Sequence, residues 1–265
     1  MFVMKVVVMR RIMLVVAYDG TNYSGWQLQP ETDTIEGQLN KALSGLLKET
    51  IVVCGASRTD AGVHSMGNVA VFDTESRIPA EKLAVALNAR LPEDIIVQSS
   101  RQVRSDFHPR RCSCIKTYEY RIYNARMENP QLTRYTWHRY GDVDVEAMQK
   151  AADLLIGEHD FTSFCAAGST VESKIRTITK TSVCRESSLI RIRISGSGFL
   201  YNMVRIIAGT LMLVGIHRLL PEDILTIIEA KDRRKAGPTA PAKGLTQIGI
   251  EYDEALLSAE DCEGI

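Results

Sequence analysis

One polar segment between two apolar runs holds an acid, a base and an imidazole. It reads Cys54-Gly-Ala-Ser-Arg-Thr-Asp-Ala-Gly-Val-His-Ser-Met-Gly-Asn-Val-Ala-Val-Phe72. Ile51–Val53 precede it, and Val69, Val71 and Phe72 end it. These flanks predict two short buried strands. Arg58, Thr59, Asp60, Gly62 and His64 lie between them, on a connection longer than a plain hairpin needs. Loops that hold such groups on a rigid scaffold are where function tends to sit. Asp-Ala-Gly is also ordinary turn chemistry, with Asp bonding its own backbone and Gly supplying positive φ. Both readings fit Asp60 at this stage.

No second carboxylate follows Asp60 until Asp73 and Glu75, beyond the next strand. A two-carboxylate glycosidase arrangement therefore lacks a local partner. A single carboxylate serves as nucleophile or general base where a cation keeps it ionised. Arg205 is the candidate cation. It sits in a predicted helix with the apolar stripe Phe199, Met203, Ile206, Ile207, Leu211 and Val214. An arginine in such company needs a partner, or must snorkel to solvent. Gly209, four residues on, allows close backbone approach on the same side. Tyr118 and Tyr120 share one face of a predicted strand, where they either stack on bases or pack in the core. His64 fits a catalytic acid or base, and equally a hydrogen bond within its own loop. Trp26 fits core or lid.

Periodicity supplies the elements that must position these groups. Ile12–Ala17 reads as a strand ending in Tyr18-Asp-Gly20. Thr34 caps a helix along Ile35, Leu39, Leu43 and Leu46, Ile51–Cys54 is the second strand, and Val69–Phe72 the third. Pro79 opens a second helix with Leu83, Ala86 and Leu87 inward, before the strand Ile95–Gln98. That order is β-α-β-β-α-β, the split βαβ unit. The second half is similar. Cys114–Tyr123 alternates Tyr118, Tyr120 and Ile122 against Thr117, Glu119 and Arg121, as a half-buried strand does. Asp144 caps the helix Val145–Ile156. Thr177–Cys184 and Leu189–Ser195 are strands, Phe199–Val214 and Pro221–Ala230 are helices, and Leu245–Tyr252 closes the chain. The expected fold class is α+β, with two related split-βαβ (ferredoxin/RRM-like) halves joined through a central antiparallel sheet. The divisions are an extension over 1–9, halves over 10–108 and 109–252, and an acidic tail over 253–265.

Composition sets the outer bounds. The 265 residues are 45% hydrophobic and 24% charged, ordinary for a globular chain of one large or two small domains. Net charge is zero, yet residues 251–265 hold six acids and no Lys or Arg, so the rest carries +6. Basic residues cluster at Arg101–Arg104, Arg110–Arg111–Lys116, Arg134–His138–Arg139 and Lys231–Lys235. Such patches bind phosphate or simply face solvent. None of the six cysteines forms a C-x-x-C pair, and the histidines lack zinc spacing. A reduced, cytoplasmic protein without structural metal is expected. No apolar stretch reaches membrane-spanning length.

Several blocks together resemble one family. Ser57-Arg-Thr-Asp-Ala-Gly-Val-His64 is similar to the G-R-T-D-A-G-V-H-A motif of the TruA-type tRNA pseudouridine synthases. Tyr18–Gln27, Leu87–Ile95, Phe107–Arg110, Lys116–Arg121, Gly157–Phe164, Phe199–Arg205 and Pro238–Leu245 resemble further family blocks in family order. Ser57, Ser65, Asn68 and Pro109 depart from it, standing where the family has Gly, Ala, Gln and Ala.

The resemblance implies that Asp60 is the essential catalytic aspartate and Arg205 its partner. It implies that Tyr118 packs on the target base, that Arg58 aids base extrusion and that Leu245 binds substrate. It further implies isomerisation of uridines at positions 38, 39 and 40, in the anticodon stem-loop of tRNA. No cofactor or metal would be used. The enzyme would be a homodimer, with its active site in the cleft between the halves. The competing classes are a non-catalytic RNA-binding protein and a hydrolase acting on nucleosides through Asp60.

Overall fold

Ile12, Val15 and Val16 suit a pleated backbone, and the first strand, β1, runs Arg10–Tyr18. The computed structural model describes residues 9–258. The expected N-terminal extension, apart from Met9, and residues 259–265 of the acidic tail lie outside the described residues. The chain divides into two compact units. One comprises the described residues up to Ser113 together with those from Ile250, and the other is Cys114–Gly249.

In the first unit β1 is followed by α1 (Ile35–Leu47), β2 (Cys54–Gly55), β3 (His64–Thr74), α2 (Leu83–Asn88) and β4 (Ile95–Val103). The strand order is β4-β1-β3, with β2 on β3, and every pairing is antiparallel. Thr34 Oγ1 accepts the Gly37 N–H at 3.2 Å and starts α1 as expected. Alternation along the strands sends side chains to two faces. Ile12, Leu14, Val16 and Phe72 pack with Leu39 and Leu43 of α1 and with Leu83 and Leu87 of α2. Ala84, rather than Ala86, completes the buried face of α2. Met13, Val69 and Val71 point the other way, onto Val103, Phe107 and Leu257.

One expectation changes in this unit. Ile51–Val53 is not strand. The Ile51 N–H donates to Ser44 Oγ at 3.0 Å and the Val53 N–H to Asn40 Oδ1 at 2.8 Å. Side chains of α1 thus take the donors that a ladder would have used, and only Cys54–Gly55 pairs with β3. The described start of the acidic tail, residues 253–258, packs on this unit. The Tyr252 ring meets Phe107 edge-on at 5.1 Å, Leu257 is 5% exposed, and Glu254 pairs with Arg101. Apolar burial draws residues 250–258 onto the first unit.

The second unit contains β5 (Cys114–Asn124), β6 (Trp137–Arg139), α3 (Val145–Asp153), β7 (Gly157–Asp160), β8 (Ile175–Glu186), β9 (Leu189–Gly196), α4 (Met203–Gly215) and α5 (Asp223–Ala230). The last strand, β10 (Leu245–Tyr252), starts here, and the division between units falls inside it. The order β5-β9-β8-β7 is antiparallel, with β6 parallel to β5. The short strands β6 and β7 carry no periodicity long enough to read from sequence. Asp144 caps α3 by accepting the Ala147 N–H at 2.9 Å, and the helix stops at Asp153 before Gly157 at φ 114°. Asn202, at φ 58°, breaks the expected Phe199 start, so α4 begins at Met203.

Glu119 belongs to the expected polar face of β5 but is 1% exposed. It stands directly opposite Arg193 in the β5–β9 register. Arg121 Nε and an Arg193 guanidinium nitrogen each donate to its carboxylate at 2.6 Å. Burial pushes the Glu119 carboxyl up, and these two arginines more than offset it, holding it below its ordinary range. Among the described residues no helix is long and apolar enough to cross a membrane.

Candidate active site

The loop from Ala56 to Val63 is short, because His64 already belongs to β3. Asp60 opens a tight turn whose carbonyl accepts the Val63 N–H at 3.1 Å. Gly62 sits inside it at φ 74°, the conformation that a type II turn requires at its third position. The turn reading of Asp-Ala-Gly is therefore correct for the backbone. It says nothing against a chemical role for the side chain, which is half-buried. Arg58, two residues earlier, is exposed.

The segment Tyr18–Trp26 forms the floor beneath this loop. Tyr18 Oη and Thr59 Oγ1 lie 2.8 Å apart, and the Trp26 N–H donates to the Thr59 carbonyl at 3.0 Å. Trp26 is core, 2% exposed, with its indole against Gly55. A Cβ on Gly20 would fall 2.0 Å from the Val63 carbonyl oxygen, and one on Gly25 2.6 Å from that of Thr59. Backbone rests on backbone here, and a side chain at either glycine would lift the loop. From the other side Asn68, fully buried, donates to the Ser57 carbonyl at 3.0 Å. Ser57 keeps a negative φ, and its buried Oγ has no hydrogen-bond partner among the described residues.

His64 is 4% exposed. Its Nδ1 lies 3.1 Å from Asp19 Oδ1 and 3.2 Å from the Gly20 nitrogen. That nitrogen either accepts the Gly20 N–H or donates to Asp19, according to tautomer. Either bond pins the ring to the floor segment, which supports a structural role.

Arg205, Tyr118 and Leu245 all belong to the second unit. Arg205 projects from α4, its Nε donating to the Ala240 carbonyl at 2.8 Å and its Nη1 to Asn202 Oδ1 at 2.6 Å. The neighbouring Pro241 carbonyl accepts from Tyr120 Oη at 2.8 Å. The segment Pro238–Pro241 thereby ties α4 to β5. It crosses α4 at Gly209, where a Cβ would fall 1.8 Å from the Pro238 carbonyl oxygen. Tyr118 is 8% exposed, edge-on to Phe199 at 5.1 Å, and its hydroxyl accepts from Gln247 Nε2 at 3.2 Å. Within this unit its ring is held as a core residue is. Leu245 is 6% exposed at the start of β10.

A family model described as tRNA pseudouridine synthase matches residues 14–110 and 151–253. The chain belongs to this family. Its curated relatives include tRNA pseudouridine synthase A of Acetivibrio thermocellus, 45% identical over 92% of this chain and 100% of that protein. The enzyme of the same name from Moorella thermoacetica is 47% identical over 90% and 98%. That of Ruminiclostridium cellulolyticum is 47% identical over 92% and 100%. A chain in a solved Cbf5-Nop10-Gar1 complex aligns over 89% of this chain and 56% of its own, at 13% identity and a TM-score of 0.32, too distant to inform the reading.

The candidate residues Arg58 and Asp60 thus share one anchored loop that leads into His64 at the start of β3, while Arg205, Tyr118 and Leu245 share the α4–β5–β10 region of the second unit. Sequence reasoning missed Tyr18 and Asn68 as supports of the loop. The signal for Tyr18 was present, since Tyr18–Gln27 resembles a family block. Gln247 and Asn202, which hold Tyr118 and Arg205, left no periodic trace.

Proposed function

We propose that this protein isomerises uridine to pseudouridine in tRNA, with Asp60 as the catalytic carboxylate. The observation that carries the reading is membership of the tRNA pseudouridine synthase family, matched over residues 14–110 and 151–253; the resemblance assigns the family's aspartate to Asp60, on a loop held by Tyr18 and Asn68. In the reaction the bond from C1′ to N1 breaks and one from C1′ to C5 forms. The C5 proton leaves and N1 gains one. Nothing is oxidised and no group passes to water, so the chemistry calls for no redox cofactor. A base must leave the stack to be turned, and an aspartate at a loop tip suits that geometry.

On this reading Arg205 is the cation that keeps Asp60 ionised, and the active site is the cleft between two split-βαβ halves. Tyr118 packs on the target base with a ring already set by Phe199. Leu245 lines the substrate site, and exposed Arg58 enters the RNA as the base is extruded. The substrate is the anticodon stem-loop at positions 38 to 40, and the enzyme works in the cytoplasm as a homodimer.

The test is pseudouridine mapping after incubating purified protein with unmodified tRNA. Wild type is expected to form pseudouridine. Asp60→Asn is expected to form none while still binding tRNA. Full activity in that variant overturns the assignment of Asp60. Binding without turnover by wild type favours an RNA-binding protein, and release of free uracil favours hydrolysis.

A further inference from the structure

Among the described residues, cations in two of the four basic clusters, and Arg11 besides, are held by neighbouring carboxylates. Arg11 pairs with Asp73 at 2.7 Å, Arg104 with Asp106 at 2.8 Å, and Arg101 with Glu254. Lys231 pairs with Asp160 at 2.9 Å and Arg234 with Asp232 at 2.8 Å. A cation held by a carboxylate has little left for a phosphate.

Arg110 and Arg111 are different. Both are exposed, and neither has a carboxylate within ion-pair distance among the described residues. They stand on the turn His108–Cys112, closed by the Arg111 and Cys112 N–H groups on the His108 carbonyl at 3.0 and 3.1 Å. The turn is fixed on several sides. Phe107 is 1% exposed, its carbonyl accepts from Arg11 at 2.9 Å, and the Pro109 carbonyl accepts from Tyr252 Oη at 2.6 Å.

One anchor leads to the Asp60 loop. An Arg110 guanidinium nitrogen donates to Cys54 Sγ at 3.3 Å. The Arg110 backbone N–H donates to His108 Nδ1 at 3.2 Å, so in the neutral ring Nε2 carries the proton and faces the same sulfur at 3.9 Å. Cys54 is the first residue of β2, which opens directly into the loop bearing Arg58 and Asp60. Burial, then the charges of Arg111 and Arg110, push the His108 pKa down, so at neutral pH the cationic groups here are the two arginines.

We infer that Arg110 and Arg111 bind the phosphate backbone of the tRNA beside the nucleotide that the Asp60 loop receives. The inference rests on the tRNA reading above. Guanidinium forks match phosphate oxygens in pairs, and a turn already ordered loses little freedom on binding.

The experiment is equilibrium binding of unmodified tRNA across a salt series, together with KM for pseudouridine formation. The variants are Arg110→Gln, Arg111→Gln and the double variant. Arg104→Gln and Arg234→Gln serve as controls, since both arginines are held in ion pairs. Each phosphate deprived of its guanidinium should lower the slope of log affinity against log salt by roughly 0.7–0.9, and weaken binding on the order of 3- to 10-fold at low salt. KM should rise in parallel. Controls that keep the wild-type slope support the inference. A double variant with the wild-type slope overturns it, as do controls whose slope falls equally. If Arg110→Gln disturbs the loop through Cys54, Arg111→Gln alone decides. Wild type that makes no pseudouridine defeats the tRNA reading itself, which is a separate result.

Discussion

The hydroxyl of Tyr18, at the end of β1, lies 2.8 Å from Oγ1 of Thr59, the residue before Asp60. Both residues are buried, at 5% and 8% exposure. A rigid strand therefore grips the loop one residue from its acid. Tyr18→Phe removes the bond while keeping the ring against Trp26. A buried hydrogen bond of this kind contributes about 0.5–1.5 kcal/mol. Urea unfolding should show a lower midpoint at unchanged m-value, and kcat should fall as the loop loosens.

Gly25 is constrained twice over. Its φ is 91°, and a Cβ would approach the Thr59 carbonyl oxygen to 2.6 Å, the same oxygen that accepts the Trp26 N–H. Gly25→Ala should cost about 2–4 kcal/mol from backbone strain and overlap. A thermal melt checks it, and an unchanged melting temperature would show that the floor segment yields. Gly45, where a Cβ would meet nothing within 4 Å, is the control position on α1, and Gly45→Ala should be neutral or stabilising.

Glu119 makes stability depend on pH in a defined direction. Its folded carboxyl is held below the ordinary range, so its contribution is fully present above the unfolded value of about 4.3 and is lost as pH falls through the folded one. Glu119→Gln keeps the shape but weakens both arginine bonds, costing about 1–3 kcal/mol at neutral pH. The difference between wild type and variant should shrink on acidification below about pH 4. Denaturant midpoints measured at several pH values test this, and a constant difference would contradict it.

Leu257 lies in the described part of the acidic chain end yet packs with Met13, Val71 and Phe107. Leu257→Ala should destabilise the first unit by about 2–3 kcal/mol, as a truncation in a packed cluster does. Glu254→Gln, at a solvent-exposed pair with Arg101, should shift the unfolding midpoint far less.

Much of the fold, and the family, were legible in the chain alone. Period-2 and period-3.6 patterns located β1, α1, β3, α2, β5, α3, β8, β9 and β10, and cap chemistry marked Thr34 and Asp144 as helix starts. The run Arg58-Thr-Asp60 and its companion blocks pointed to the family that the comparisons then showed. Periodicity records which face of an element is apolar, and motifs record which side chains are kept together along the chain. Neither records which atoms meet across it. Only tertiary structure decided that Ser44 and Asn40 would take the N–H groups of Ile51 and Val53 and shorten β2. Register alone set Glu119 opposite Arg193, so that two guanidinium groups cover a carboxylate on the polar side of its strand. Backbone contact at Gly20 and Gly25 made the Tyr18–Trp26 segment the floor of the Asp60 loop. Such contacts join residues far apart in sequence at single-atom precision, and local composition carries no trace of them.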